Sequence, residues 1–181
     1  MATDSRPQTC AALLSAGLGL ARQRGVAALS AAAVAQAAGL AESAFAACFA
    51  SRSEYLSALA GLLMDEVRGA VADAIAGMPS GRARLRGATE TYLDANFARP
   101  QLREMVMELR FDAVGAELIR SRIAAFAQAA QSELAAVGWP RPAVTARLLT
   151  IAMIEAATAE FEARRVLPEY RRTLHAYLGR H

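Results

Sequence analysis

The chain has 181 residues, 55% of them hydrophobic, with 20 basic and 17 acidic side chains for a net charge of +3. That length holds one domain, or a small domain joined to a larger one, around a sizeable core. Abundant alanine with few aromatic and β-branched residues excludes a sheet protein, and the balance of Arg6, Arg22, Arg24 and Arg52 against Asp4, Glu42 and Glu54 in residues 1–60 is a weak electrostatic footprint for a nucleic-acid binder.

Cys10, Leu13, Leu14, Gly17, Leu18 and Ala21 recur at the spacing of one helix face. Arg22, Arg24 and Gly25 end that helix with cations in its last turn and a glycine beyond. Ser30 caps a second helix with Val34, Ala37 and Ala38 inward, and Gly39 breaks it. A third, from about Glu42 to Phe49, buries Phe45 and Phe49 at i, i+4. SRSE at 51–54 is a capping box that opens a long helix, whose stripe runs through Tyr55, Leu56, Leu59, Leu62, Leu63, Val67, Ala70, Val71, Ala74 and Ile75 to MPSG at 78–81.

Five more helices are predicted. Residues 82–98 turn Leu85, Thr89, Tyr92, Leu93 and Phe97 inward. Pro100 opens a short helix with Leu102, Met105, Val106, Met107, Leu109 and Phe111, and 114–136 follow with Val114, Leu118, Ile123, Phe126, Ala130 and Leu134. GWPRP at 138–142 separates these from a helix at 143–164 and from a last one starting at Pro168. The fold class is all-α, with a three-helix head at 1–50 and a helical body at 51–181.

The head resembles that of the TetR family of transcriptional regulators. LLSAGLGLARQRG (13–25) is similar to the family's first helix, and Ser30 stands at its helix-capping Thr or Ser. VAQAAGL (34–40) is similar to its Ile-Ala-x-x-Ala-Gly-Val, FAACF (45–49) occupies the place of its Leu-Tyr-x-His-Phe, and SRSEYL (51–56) resembles the opening of its fourth helix. The resemblance implies an N-terminal helix-turn-helix that reads double-stranded DNA, and a helical body that binds a small ligand and forms a homodimer.

The departures fall on the DNA-facing side. Ala41 replaces a cap serine, a loss of about 1 kcal/mol. Ser43 replaces a frequent Gly, Ala46 a phosphate-contacting tyrosine, and Cys48 a His or Tyr. Glu42, Ser43, Ala44, Ala46, Ala47 and Cys48 therefore make a bare reading surface: alanine touches only a thymine methyl, glutamate accepts from cytosine, and no arginine grips guanine. Phosphate contacts are expected from Ser30, Ser51, Arg52 and helix N-terminal amides, with Arg6 reaching a groove from an N-terminal arm.

In the body, an apolar ligand site is expected from Tyr92, Asn96, Phe97, Met105, Glu108, Phe111 and Phe126, with Ile123 and Ala127 beside it. The helix at 144–165 is apolar nearly all round from Leu148 to Ala157, as a helix buried on two sides would be. Leu148, Leu149, Ala152, Met153 and Ala156, with Leu174 and Tyr177 of the last helix, are expected to meet a second subunit. Glu155 is expected to pair with an arginine there.

Cys10 and Cys48 have neither metal-ligand nor disulfide-framework spacing, and Cys48 is expected to be a packing residue of a protein in the reducing cytoplasm. His175 and His181 form no metal motif, and no nucleophile–base set, phosphate loop or zinc-protease motif marks an enzyme. No cofactor is expected. No apolar run reaches the roughly 20 residues of a bilayer span. All 20 basic residues are arginine, which reflects base composition more simply than phosphate recognition. The alternative function is a helical dimer with a degenerate head that acts through a protein partner, or binds a small molecule without reading DNA.

Overall fold

The computed structural model describes residues 5–179, and His181 lies outside them. Nine α-helices and no strand occur among the described residues. They are α1 (Ser5–Arg24), α2 (Ala31–Ala37), α3 (Glu42–Cys48), α4 (Arg52–Ala74), α5 (Arg82–Phe97), α6 (Pro100–Leu109), α7 (Ala113–Ala136), α8 (Pro142–Ala163) and α9 (Pro168–Gly179). The expected boundaries hold to within a few residues because glycine, proline and cap residues punctuate them. A 3-10 turn at Val26–Ala28 was not expected. Arg6 sits inside the first turn of α1, so it is not part of an extended arm.

The chain forms two compact units. The first comprises the residues up to Leu63 together with Glu104–Ile119; the second comprises Met64–Arg103 and the residues from Arg120 on. Helices α4, α6 and α7 each contribute to both by chain continuity.

In the first unit α1, α2 and α3 pack on one another. Leu13, Val34, Phe45, Phe49, Tyr55, Leu56 and Leu59 form its core. The rings of Phe45, Phe49 and Tyr55 lie 4.8 to 5.5 Å apart, centre to centre. Tyr55 is fully buried and its hydroxyl donates to the Leu13 carbonyl at 2.9 Å. Burial pushes this phenol well above the ordinary tyrosine range. Gly17 makes the approach of α1 to Tyr55 possible: a Cβ there would lie 1.7 Å from the Tyr55 Oη.

In the second unit α5, α8 and α9 pack together over Leu85, Leu93, Leu149, Met153, Ala156, Leu174 and Leu178, joined by Leu134 and Trp139. Glu160 is fully buried within this unit. It accepts from Arg171 Nε at 2.8 Å and Nη2 at 2.9 Å, and from the Leu167 amide at 3.0 Å. Arg171 Nη1 also reaches Glu90 at 3.0 Å and Asp94 at 2.6 Å. Glu160 first, and then Asp94, hold the guanidinium proton more firmly than usual. Contrary to the expectation that no run is long enough, α8 meets a bilayer span by length and composition, because its mean hydropathy absorbs its few charges. Its inner face nevertheless builds the core of this unit and carries the buried Glu160.

Candidate functional site

Ser30 caps α2, its Oγ accepting from the Ala33 amide at 3.1 Å. The far end closes as a Schellman motif: Gly39 N–H donates to Gln36 O at 3.1 Å, and Leu40 N–H to Ala35 O at 2.9 Å. Gly39 has φ +69°, the left-handed conformation that such a terminus requires. The chain then turns so that α2 and α3 meet at 109°, the geometry of a helix-turn-helix.

Ala41 begins α3 in extended conformation with no side-chain cap. Phe45 and Phe49 anchor the inner side of α3, and Glu42, Ser43, Ala46 and Ala47 are exposed, with Ala44 and Cys48 half-buried. Ser51 Oγ accepts from the Glu54 amide at 3.0 Å, and Glu54 Oε2 accepts from the Ala50 amide at 2.7 Å. The box thus closes one residue earlier than the standard pattern, which returns to the cap residue itself.

Two expectations about the head are corrected. Arg52 is not a free phosphate clamp. Its guanidinium donates to the Leu29 carbonyl, to the Val26 carbonyl at 3.2 Å, and to Glu108 at 2.9 and 3.2 Å. All three guanidinium nitrogens donate in closing the loop between α1 and α2, where Glu104 also accepts from the Val26 amide at 3.0 Å. Cys48 is not a lone packing residue. It is disulfide-bonded to Cys10, with 38 residues of separation. The bond joins α1 to the last residue of α3. The two positions are far apart in sequence and meet only after the head has folded, so spacing alone carried no sign of it.

The residues expected to bind a ligand are dispersed. Tyr92, Asn96 and Phe126 come together in the second unit, with the Tyr92 and Phe126 rings 5.1 Å apart. Phe97 is 38% exposed because the inward face of α5 passes through Ala95 and Asn96 instead. Met105 is fully buried, Glu108 is engaged by Arg52, and Phe111 is 82% exposed beneath the Arg110 guanidinium. These four departures put Met105, Glu108 and Phe111 in the first unit and Phe97 on a surface. Of the flanking residues, Ile123 and Ala127 are half-buried.

The structure adds a residue that sequence reading passed over. Arg103 is 6% exposed and donates to Asn96 Oδ1 at 2.9 Å, Tyr92 Oη at 3.1 Å and Thr158 Oγ1 at 3.5 Å. An arginine beside an apolar stripe ordinarily lays its stem on the surface and keeps its head in water, so nothing local announced its burial.

Of the residues expected at a subunit interface, Leu149, Met153, Ala156 and Leu174 are buried in their own unit. Leu148, Ala152 and Tyr177 do face outward. The exposed apolar stripe of α8 is Val144, Leu148 and Ile151, each more than half exposed, one helical face away from the core. Glu155 is exposed further along the helix. A cleft of about 320 Å³ between α8 and α9, lined by Ala152, Glu155, Glu169, Tyr170, Thr173 and Leu174, opens on the same side. Among the described residues no group of three or more His, Cys, Asp or Glu side chains is placed to hold a metal ion.

No family model matches the sequence, and no curated protein matches it. Solved structures do match: 83 chains share the architecture. A transcriptional regulator from Rhodococcus sp. Rha1 superposes with a TM-score of 0.78 at 18% identity over 94% of each chain. A Rhodococcus protein assigned to the TetR family superposes with a TM-score of 0.70 at 19% identity, over 96% of this chain and 97% of the other. The chain has the fold of the TetR-type regulators. RolR, solved with resorcinol bound, shares that fold with a TM-score of 0.74 at 14% identity, over 96% of this chain and 87% of its own.

Proposed function

We propose that the chain is a ligand-responsive transcriptional regulator, a repressor that binds double-stranded DNA as a homodimer. Residues 1–50 read DNA, and 51–181 bind the ligand and dimerise. The observation that carries this reading is the α2–Gly39–α3 turn at 109° with one side of α3 left open, in a chain whose whole length follows the regulator fold. Glu42, Ser43 and Ala46 face the bases, while Ser30, Ser51 and backbone amides supply phosphate contacts. Arg52 supports them by holding the loop and does not touch DNA itself.

Tyr92, Asn96 and Phe126 form the centre of the ligand site; a neighbour of the same fold carries resorcinol. Dimerisation uses the outward stripe Val144, Leu148 and Ile151 of α8, with Ala152 and Tyr177 beside it. Ligand binding shifts the population between DNA-competent and DNA-incompetent dimers. The protein works in the cytoplasm, has no enzymatic activity and needs no cofactor.

The test is selection of bound duplexes from a random pool, followed by gel shifts with competitor DNA. A consensus with two-fold symmetry is expected. Ala46→Glu adds a carboxylate to the exposed face of α3 and is expected to weaken binding at least tenfold without unfolding the head. If no duplex is retained at low salt, the DNA-reading function is wrong, and a partner-directed helical dimer takes its place.

A further inference from the structure

Two cations of the second unit are drawn in from solvent, Arg103 buried and Arg171 partly so, and they are treated differently. Arg171 lies among Glu160, Glu90 and Asp94. Among the described residues Arg103 has only neutral acceptors: an amide oxygen and two hydroxyls. Its Nε is buried with no hydrogen-bond partner. A guanidinium taken out of water without a counter-charge is costly, and a buried donor left unmade adds to that cost. Even buried ion pairs can often be replaced by well-packed apolar residues without loss of stability, so a buried guanidinium with no counter-charge is hard to explain by stability alone. An anion completing the set accounts for it.

We infer that Arg103 is the anchor of the ligand site and that the ligand is a carboxylate on an apolar body. The carboxylate accepts from the unfilled Nε–H of the guanidinium and, displacing Tyr92 Oη, from Nη2 beside it. Tyr92 Oη, half-buried, orients it as a donor once released from Arg103. The Tyr92 and Phe126 rings, 5.1 Å apart, cover the apolar part. This deepens the ligand-binding reading above and rests on it.

The probes are formate, benzoate and octanoate, each paired with its neutral amide, applied to the full-length protein. Melting temperature is followed together with the Arg103 Nε–H resonance. The carboxylates are expected to raise the melting temperature and shift that resonance, binding at least tenfold more tightly than their amides. Arg103→Gln abolishes the preference while leaving the protein folded, and Tyr92→Phe weakens it as a second, milder variant. Equal binding of amides and carboxylates overturns the anion assignment but leaves a ligand-binding body. A preference that survives in Arg103→Gln places the anion elsewhere and overturns the site. No response to any probe overturns both, with DNA binding still judged separately by gel shift.

Independently of any ligand, the Cys10–Cys48 bond ties α1 to the end of α3, and both cysteines are half-buried rather than sealed in the core. We infer that it is a redox latch on α3. Two thiols of a dithiol reductant, or two glutathione molecules, exchange with it through a mixed disulfide. Cys10 and Cys48 each gain one electron and one proton, and the reductant leaves as its disulfide. Residues 42–48 then lose their tie to α1 and hold the DNA-facing surface less rigidly.

Amide hydrogen exchange of the full-length protein tests this without DNA. Reduction is expected to speed exchange over 42–48 at least tenfold, reoxidation to reverse it, and Cys48→Ser to match the reduced protein under both conditions. Identical rates in both states, or two free thiols after treatment with an oxidant, overturn the latch. Faster exchange with unchanged affinity for a selected duplex overturns it as a regulator of DNA reading.

Discussion

Two glycines of α1, two residues apart, are expected to respond to the same substitution with opposite signs. Gly17 faces Tyr55: an added Cβ would lie 1.7 Å from the phenol oxygen, 2.9 Å from its ring carbon and 3.4 Å from a Leu59 methyl. At Gly19 a Cβ meets nothing within 4 Å. Helix propensity favours alanine over glycine by about 1 kcal/mol at each position. Gly19→Ala is therefore expected to stabilise by roughly 0.5–1 kcal/mol. At Gly17 the methyl must displace a fully buried tyrosine. Overpacking costs about 1–3 kcal/mol, and loss of the buried bond to Leu13 costs about 1–3 kcal/mol. With the propensity gain subtracted, Gly17→Ala is expected to destabilise by about 3 kcal/mol. Urea unfolding followed by circular dichroism measures both. Tyr55→Phe removes the oxygen that collides, so the double variant Gly17→Ala/Tyr55→Phe is expected to be at least about 1 kcal/mol better than additive. If Gly17→Ala behaves like Gly19→Ala, or the pair is additive, the close approach of α1 to Tyr55 does not constrain the head.

Arg171→Met strands the fully buried Glu160 with only the Leu167 amide, and is expected to destabilise by about 3–5 kcal/mol in the same assay; Glu160→Gln leaves Arg171 with Glu90 and Asp94 and is expected to cost less. Reducing the Cys10–Cys48 bond opens a loop spanning 38 residues; chain entropy alone predicts a loss of about 4 kcal/mol, read as the shift in urea midpoint with and without dithiothreitol. The Arg122 hydrogen bond, 2.6 Å from Nη1, holds the Asp65 carboxyl below its usual range. Its folded value is depressed, so its contribution is present above the unfolded carboxylate range near pH 3.9 and is lost as pH falls through the folded value. Asp65→Asn is expected to cost no more than about 1 kcal/mol at pH 7, because the pair is partly exposed, and nothing measurable in strong acid.

The helices and their ends were legible in the chain because their causes are local. Ser30, Gly39, Ser51, Glu54, Pro100 and Pro168 act through their own backbone neighbourhood, and apolar periodicity names a helix without reference to its partners. The helix-turn-helix follows from the same signals, since its turn is a glycine in left-handed conformation between the capped α2 and the apolar i, i+4 pair Phe45 and Phe49. Which way each helix faces was less legible. Four residues of α8 and α9 expected to meet a second subunit belong to their own core, because a helix apolar on most sides does not say which side is inside. Tertiary proximity alone decided the chemistry. Cys10 meets Cys48, Arg52 is claimed by Glu108 and two carbonyls, and Arg171 gathers three carboxylates from α5 and α8. Arg103 is buried with none. Charge satisfaction depends on what folding brings within a few ångströms, and neither composition nor spacing carries that distance.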